Sequence, residues 1–233
     1  MKMRLILDAA HSSTFNMAAD EFLMESQKET SALPVLRIYF WKTPSISIGY
    51  FQNIHQAEKK FHGKKVGAIV RRITGGGLVS HGNDLTFSIV LKNSDPMLPS
   101  DVKMSYLKIN EALRLGLKEV YRELDYADCK TIPSGRGVGE RVCFEQPACY
   151  DLLIGGKKVV GASQRRKEGV ILHQSAVFLP DSREMLTDKI LKGFRRQWKI
   201  DFEPQLFTTG EIDLIRLKEK ERYSSPEWAS PVI

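Results

Sequence analysis

The chain has only three cysteines, no Cys-x-x-C pair, no long apolar run and no Walker-type phosphate loop. An odd set, Cys129, Cys143 and Cys149, argues against a disulfide framework and against a zinc site, and leaves at least one thiol as a candidate reactive group. No stretch is long and apolar enough to span a membrane. The N-terminus, Met1-Lys2-Met3-Arg4, leads into an apolar segment too short for the core of a signal sequence, so a cytoplasmic location is expected. Acidic ligand pairs at metal-binding spacing are missing, and no metal is assigned. The alternating glycines of Pro133-Ser134-Gly135-Arg136-Gly137-Val138-Gly139 do not make a dinucleotide fingerprint, because no strand-then-helix unit surrounds them and the third glycine is misplaced. Internal repeats and low-complexity tracts are also lacking.

What remains is the profile of an ordinary globular protein. At 233 residues the chain can bury a sizeable core, and it reads as a single catalytic-type domain over 1–233 with a helical C-terminal segment from about 181. Its 35 lysines and arginines outnumber 28 acids, a formal charge of +7 that suits acidic partners.

Strands and helices are interspersed. Arg4 to Leu7 reads as a strand, and Ser12-Ser13-Thr14 starts a helix whose polar face carries Asn16, Asp20 and Glu21. Val35 to Trp41 and Ser45 to Tyr50 are β-rich runs joined at Thr43-Pro44 by a hairpin or a corner. Residues 54 to 62 form a short basic helix, Val66 to Val70 and Leu85 to Leu91 are strands, and a long helix carries Met104 to Val120. Gly155-Gly156 marks a hairpin, followed after Gln164-Arg165-Arg166-Lys167 by a strand from Val170 to Leu179. Asp181 with Glu184, and Thr208 with Glu211, are capping-box patterns that open the last helices, and the tail from Tyr223 reads as loosely held. Hairpins outnumber βαβ units, so the fold class is α+β, a mixed and mainly antiparallel sheet flanked by helices.

The most demanding stretch is Arg71-Arg72-Ile73-Thr74-Gly75-Gly76-Gly77-Leu78-Val79-Ser80-His81, which returns to a strand after Asp84. Consecutive glycines let a ligand lie against the main chain, and the flanking arginines favour a binding loop over a mobile hairpin. Two further residues could carry chemistry. Cys143, in Arg141-Val142-Cys143-Phe144-Glu145-Gln146-Pro147, is a nucleophile if its thiolate is stabilised, and otherwise a buried apolar residue. Lys158, after the Gly-Gly turn, reads locally as a solvated hairpin lysine. Pointing inward, it would hold a carbonyl oxygen or phosphate as a fixed cation. His81 and His173 are each a candidate base or hydrogen-bond partner. The clusters at Arg71-Arg72, Lys157-Lys158, Arg165-Arg166-Lys167 and Arg195-Arg196 could meet phosphate, yet no nucleic-acid-binding motif accompanies them.

Together these stretches resemble the lipoate-protein ligase and octanoyltransferase family, within the biotin and lipoate protein ligase fold. The resemblance runs from about Asn16 to Leu179. It rests on Asn16-Met17-Ala18-Ala19-Asp20-Glu21, Gly49-Tyr50-Phe51-Gln52, the Arg71 to Gly77 loop with His81 and Asp84-Leu85, and Asp151 to Gln164 around Lys158 and Gly161. Cys143-Phe144-Glu145-Gln146-Pro147 is similar to the cysteine-type, LipM-like octanoyltransferases.

The resemblance implies that Arg71, Arg72, Thr74, Gly75, Gly76, Gly77, His81, Asp151 and Gly161 bind substrate, with Cys143 and Lys158 catalytic. The implied reaction takes an octanoyl or lipoyl group from acyl carrier protein onto Cys143. It then passes to a lysine of a lipoyl-carrier protein, either glycine cleavage H protein or a lipoyl domain, without a cofactor. The triple glycine is equally a ligase feature. It keeps open an ATP- and Mg-dependent lipoate-protein ligase working through lipoyl-adenylate, in which Cys143 is incidental. Leu172-His173-Gln174-Ser175 stands where the family has His-Gly. A non-enzymatic basic binding protein is the remaining alternative. Acidic carrier proteins would give the positive charge a use in steering their approach, whereas neither a membrane nor nucleic acid is an expected partner.

Overall fold

The structure, a computed structural model, describes residues 1–29, 31–61, 67–130 and 147–229. In chain order its elements begin with β1 (Lys2–His11), α1 (Ser13–Ser26), β2 (Val35–Trp41), β3 (Ser45–Ile48), α2 (Ile54–Phe61), β4 (Ala68–Arg71), β5 (Val79–His81) and β6 (Leu85–Lys92). They continue with α3 (Val102–Leu117), β7 (Asp125–Tyr126), β8 (Leu152–Ile154), β9 (Lys157–Lys167), β10 (Val170–Val177), α4 (Arg183–Trp198), β11 (Asp201–Pro204) and α5 (Thr209–Lys218). A π-helical turn, Glu219–Tyr223, and α6 (Pro226–Ala229) follow.

One sheet has eight strands in the order β11-β1-β2-β6-β10-β9-β8-β7, and a second has three, β4-β3-β5. The large sheet is parallel only where β1 meets β11 and β2, and antiparallel elsewhere, which is the α+β arrangement expected from the hairpin-rich sequence. Its central strands are buried on both faces, so they read as continuous apolar runs rather than as alternating ones. Along β2, Leu36 and Ile38 join the core under α3 and α4, while Val35 and Tyr39 join the one under α1 and α5. The two helices over the first face touch backbone to backbone. A Cβ placed on Gly116 would lie 1.9 Å from the carbonyl oxygen of Lys189, and one on Gly193 would lie 2.0 Å from that of Ala112.

Local chemistry sets several boundaries as expected. Ser12 caps α1 by accepting from the Phe15 N–H, Thr208 and Glu211 form a reciprocal capping box at α5, and Gly155-Gly156 turns β8 into β9. Other boundaries differ. Ser182, not Asp181, caps α4 by accepting from Met185 N–H, while Asp181 accepts from the Tyr121 hydroxyl. The basic run Gln164 to Lys167 lies inside β9 rather than after it, because antiparallel pairing with β10 extends to Lys167. The C-terminal segment is not helical throughout. β11 interrupts it and pairs in parallel with β1.

Nor is the tail loosely held as far as α6. Tyr223 is buried and its hydroxyl donates to Glu21 Oε2 at 2.9 Å, and Trp228 reaches back to Arg71. Cys129 and Cys149 form a disulfide, against the expectation from their odd number and spacing. Pairing was invisible in the sequence because the turn after β7 and the entry to β8 bring Cα atoms 20 residues apart to within 4.5 Å.

Candidate functional site

Thr43-Pro44 is a corner. After Trp41 the chain leaves the large sheet, and β3 becomes the centre of the small one, pairing in parallel with β4 and antiparallel with β5. The glycine stretch links β4 to β5, and the chain then re-enters the large sheet as β6. A cleft between the two sheets is the result, with the glycine loop along one side.

That loop is fixed rather than mobile. Tyr50 N–H donates to Thr74 O at 2.9 Å, Arg165 Nη1 to Ile73 O at 2.9 Å, and Arg72 Nη2 to both Gly75 O and Gly77 O at 2.7 Å. Gly76 has φ +86°, and its carbonyl oxygen sits where a Cβ on Gly49 would be, 2.0 Å away. Both positions therefore require glycine. Arg71 gathers the carbonyls of Tyr50 (2.7 Å) and Gln52 (2.6 Å) through Nη1. Both arginines are almost fully buried. Instead of meeting phosphate at the surface, they organise the loop from within, guanidinium forks being suited to several carbonyls at once.

The cleft leaves about 350 Å³ of unfilled space between its walls, the open solvent at its mouth included. Met17, Tyr39, Trp41 and Val79 give it apolar walls, while Gly161, Ala162 and Ala176 keep side-chain volume out of it. Its polar edge carries Ser47, Arg72 and His81. Two hydrogen-bonded systems support these walls. In the first, Asp20 accepts from Arg37 Nη1 (2.9 Å), Ser88 Oγ (2.8 Å), Tyr39 OH (2.9 Å) and Gln174 Nε2 (2.6 Å). Thr74 Oγ1 then donates to Gln174 Oε1 at 2.6 Å and accepts from Ser163 Oγ at 2.8 Å, which ties the glycine loop to the large sheet. Burial and the Asp20 carboxylate raise the Tyr39 pKa well above its ordinary value, so this hydroxyl stays a donor.

In the second system Trp41 Nε1 donates to Thr86 Oγ1 at 2.8 Å, and Thr86 donates to Asp84 Oδ2 at 2.6 Å. His81 joins Asp84 Oδ2 through Nδ1 and Ser47 Oγ through Nε2, both at 2.8 Å. Burial pushes the Asp84 carboxyl up, but His81, Thr86 and the Gly82 N–H outweigh it and hold the pKa below the ordinary value. The His81 ring stacks on Trp41 with centroids 3.8 Å apart.

Lys158 is not a solvated hairpin lysine. Its ammonium pairs with Asp151 Oδ2 at 2.7 Å, and the two side chains are 3% and 6% exposed. Burial raises the Asp151 pKa even though Lys158 and the Ala148 N–H oppose it. Asn110 Nδ2 holds the preceding turn by donating to Tyr150 O at 2.8 Å. Cys143 and the glycine-alternating stretch 135–139 lie outside the described residues. His173 is fully buried, accepts from Gln164 Nε2 at Nδ1 and bonds Ser175 Oγ through Nε2 at 2.7 Å, so it supports the wall rather than facing the cavity.

The structure thus brings Arg72, His81 and Gly161 to one cavity, puts Thr74 in the network behind it, and pairs Asp151 with Lys158. Sequence reasoning missed Ser47, Trp41, Thr86 and Gln174 as wall residues. It also missed Arg37, whose placement in an otherwise apolar strand was a readable sign of buried acidic partners. Asn16, Asp20 and Glu21 do share a face of α1, but that face is turned inward and satisfied there.

The lipoyl protein ligase A/B catalytic domain model matches residues 12–199. The chain is 30% identical to octanoyltransferase LipM of Bacillus anthracis, over 93% of this chain and 94% of that one. It is 29% identical to LipM of Moorella thermoacetica, over 96% of each. Its fold is similar to that of a lipoate-protein ligase A solved with ATP, with a TM-score of 0.81, 25% identity and full coverage of both chains. The matched span takes in the small sheet, the glycine loop and six of the eight strands of the large sheet, and the chain belongs to the lipoyl protein ligase A/B catalytic domain family.

Proposed function

We propose that this chain is an octanoyltransferase of lipoate biosynthesis that takes an octanoyl group from acyl carrier protein onto Cys143. The group then passes to a lysine of a lipoyl-carrier protein, a lipoyl domain or glycine cleavage H protein. Similarity to LipM octanoyltransferases along nearly the whole chain carries the reading. A narrow apolar cavity with a polar edge suits a medium acyl chain ending in a thioester.

In the first half-reaction the Cys143 thiolate attacks the octanoyl thioester carbonyl and expels the carrier's thiolate. In the second, the lysine amine attacks the enzyme-bound thioester, forming the amide and returning the cysteine. Each passes through a tetrahedral oxyanion, and Lys158 is the cation that stabilises it. Asp151 keeps that ammonium in place inside a buried setting. Glycine-loop amides are the second set of oxyanion donors. No cofactor is needed, because the thioester already stores the activation.

The test is incubation with octanoyl-acyl carrier protein without ATP, read by intact mass. An octanoyl adduct that vanishes in Cys143→Ser supports transfer. Absence of the adduct, together with adenylate formed from lipoate and ATP, would establish the ligase reading instead.

A further inference from the structure

A lysine arrives at neutral pH as an ammonium ion, and it must lose a proton before its nitrogen can form an amide. The wall of the cavity offers a route for that proton. Asp84 accepts from Gly82 N–H at Oδ1 and from Thr86 Oγ1 at Oδ2, which leaves it an acceptor towards His81 Nδ1 at 2.8 Å. Neutral His81 therefore carries its hydrogen on Nδ1 and presents a lone pair at Nε2. Arg72 Nη1 donates to Ser47 Oγ at 3.1 Å, so the Ser47 hydroxyl hydrogen is directed to His81 Nε2 at 2.8 Å. Donation runs one way along the row, from guanidinium to hydroxyl to imidazole to carboxylate.

Ser47 and His81 both line the cavity, where His81 supplies the imidazole. Stacking on Trp41 fixes the ring plane. The row also lies at the same end of the sheet as Lys158. Val177 of β10 pairs with Val160 on one side and Leu85 on the other, so Lys158 and Asp84, just beyond those residues, are two strands apart at one end of the sheet. A paired lysine beside a buried carboxylate is a fixed cation, which leaves proton acceptance to another group.

We propose that Ser47, His81 and Asp84 form the proton relay of the amine step: the lysine nitrogen hands a proton to Ser47 Oγ as the Ser47 hydroxyl proton passes to His81 Nε2. This rests on the acyl-cysteine reading above. His81 then releases that proton to solvent. The neutral amine forms the new C–N bond, the C–S bond breaks, and the departing thiolate leaves with the second nitrogen proton, so an ammonium and a thioester give an amide, a thiol and one proton in solvent. Ser47 touches the amine, and Asp84 is a positioning residue that sets the His81 tautomer.

The experiment forms octanoyl-enzyme from octanoyl-acyl carrier protein in the wild type, Ser47→Ala, His81→Gln and Asp84→Asn, then follows discharge by intact mass with two nucleophiles. One is an apo lipoyl domain, whose lysine must be deprotonated. The other is hydroxylamine, already neutral at pH 7. Discharge to the lipoyl domain is expected to fall by roughly 10²- to 10⁴-fold in His81→Gln and Asp84→Asn, while hydroxylamine discharge keeps the wild-type rate. Ser47→Ala, the smallest change to the wall, follows the same pattern if larger substitutions upset folding. Equal loss with both nucleophiles assigns the row a structural role and overturns the relay, as does unchanged transfer to the lipoyl domain. If wild-type protein forms no octanoyl adduct, the acyl-cysteine reading fails by itself. The lysine must still shed its proton, and the same variants compared with octanoyl-adenylate as donor then decide the relay.

Discussion

Trp228 and Arg71 hold each other by two hydrogen bonds: the indole N–H donates to Arg71 O at 3.0 Å, and Arg71 Nε donates to Trp228 O at 3.0 Å. The indole also lies over the Arg222 guanidinium at 3.9 Å. A residue near the C-terminus thus closes the outer side of the glycine-loop wall. Trp228→Ala is expected to cost about 2–3 kcal/mol, less than for a fully buried tryptophan, with a matching loss of transfer rate as β4 loosens. Urea denaturation and a transfer assay check it, and unchanged stability would show that the contact is incidental.

Lys158 and Asp151 separate a stability effect from a chemical one. Lys158→Met leaves a buried carboxylate without its cation and is expected to destabilise the protein by roughly 3–5 kcal/mol. Adding Asp151→Asn removes the stranded charge and restores much of that stability. Transfer stays down by about 10²- to 10³-fold in both variants, because the oxyanion has lost its cation. Recovery of activity together with stability would make Lys158 a structural residue only.

His173 makes stability depend on pH. Burial lowers its pKa from the ordinary 6.5 to about 3. Between those limits the unfolded chain binds the proton that the native state refuses, so stability is full above pH 6.5 and falls as the pH drops towards 3, by roughly 4 kcal/mol in all. Asp84, held low, adds to this loss only within and below the ordinary carboxylate range. Asp151, raised by burial, works in the opposite direction. Above the carboxylate range the fall belongs to His173, opposed there by Asp151, whose pKa is raised into that window. His173→Asn should flatten the urea midpoint against pH there, and an unaltered slope would assign the loss elsewhere.

The Cys129–Cys149 bond fixes a thiol count. Under denaturing, non-reducing conditions a thiol reagent should titrate one of the three cysteines, and all three after reduction. Reduction should lower stability by about 3 kcal/mol, the loop-closure value for a bridge of this span. Three thiols before reduction would rule the bond out.

What the sequence revealed was local. A capping box needs only Thr208 and Glu211, and a hairpin only Gly155-Gly156, so both were legible. The family was legible too, because its motifs are contiguous. What escaped depends on partners far along the chain. Asp20 looks solvated on a helix wheel until Arg37, Ser88 and Gln174 converge on it. β3 could have paired back on β2, and only the arrival of β4 and β5 on its two sides makes Thr43-Pro44 a corner. Nothing next to Lys158 tells which way it points, since that follows from Asp151 across the β8–β9 pair. Ser47 was passed over as one serine among several, and its meaning rests on His81, 34 residues later.

Where α3 and α4 cross, glycine meets backbone, and the crossing acts on chemistry it never touches. Any side chain at Gly116 or Gly193 would have to displace the carbonyl of Lys189 or Ala112 and lever the two helices apart. Asn110, within α3, would move with its helix and release the Tyr150 carbonyl, which immediately precedes Asp151. The Lys158 ammonium thus inherits its alignment from a hinge-free joint on the far face of the sheet. A single methyl group added at that joint would detune the site before any residue of the cavity was altered.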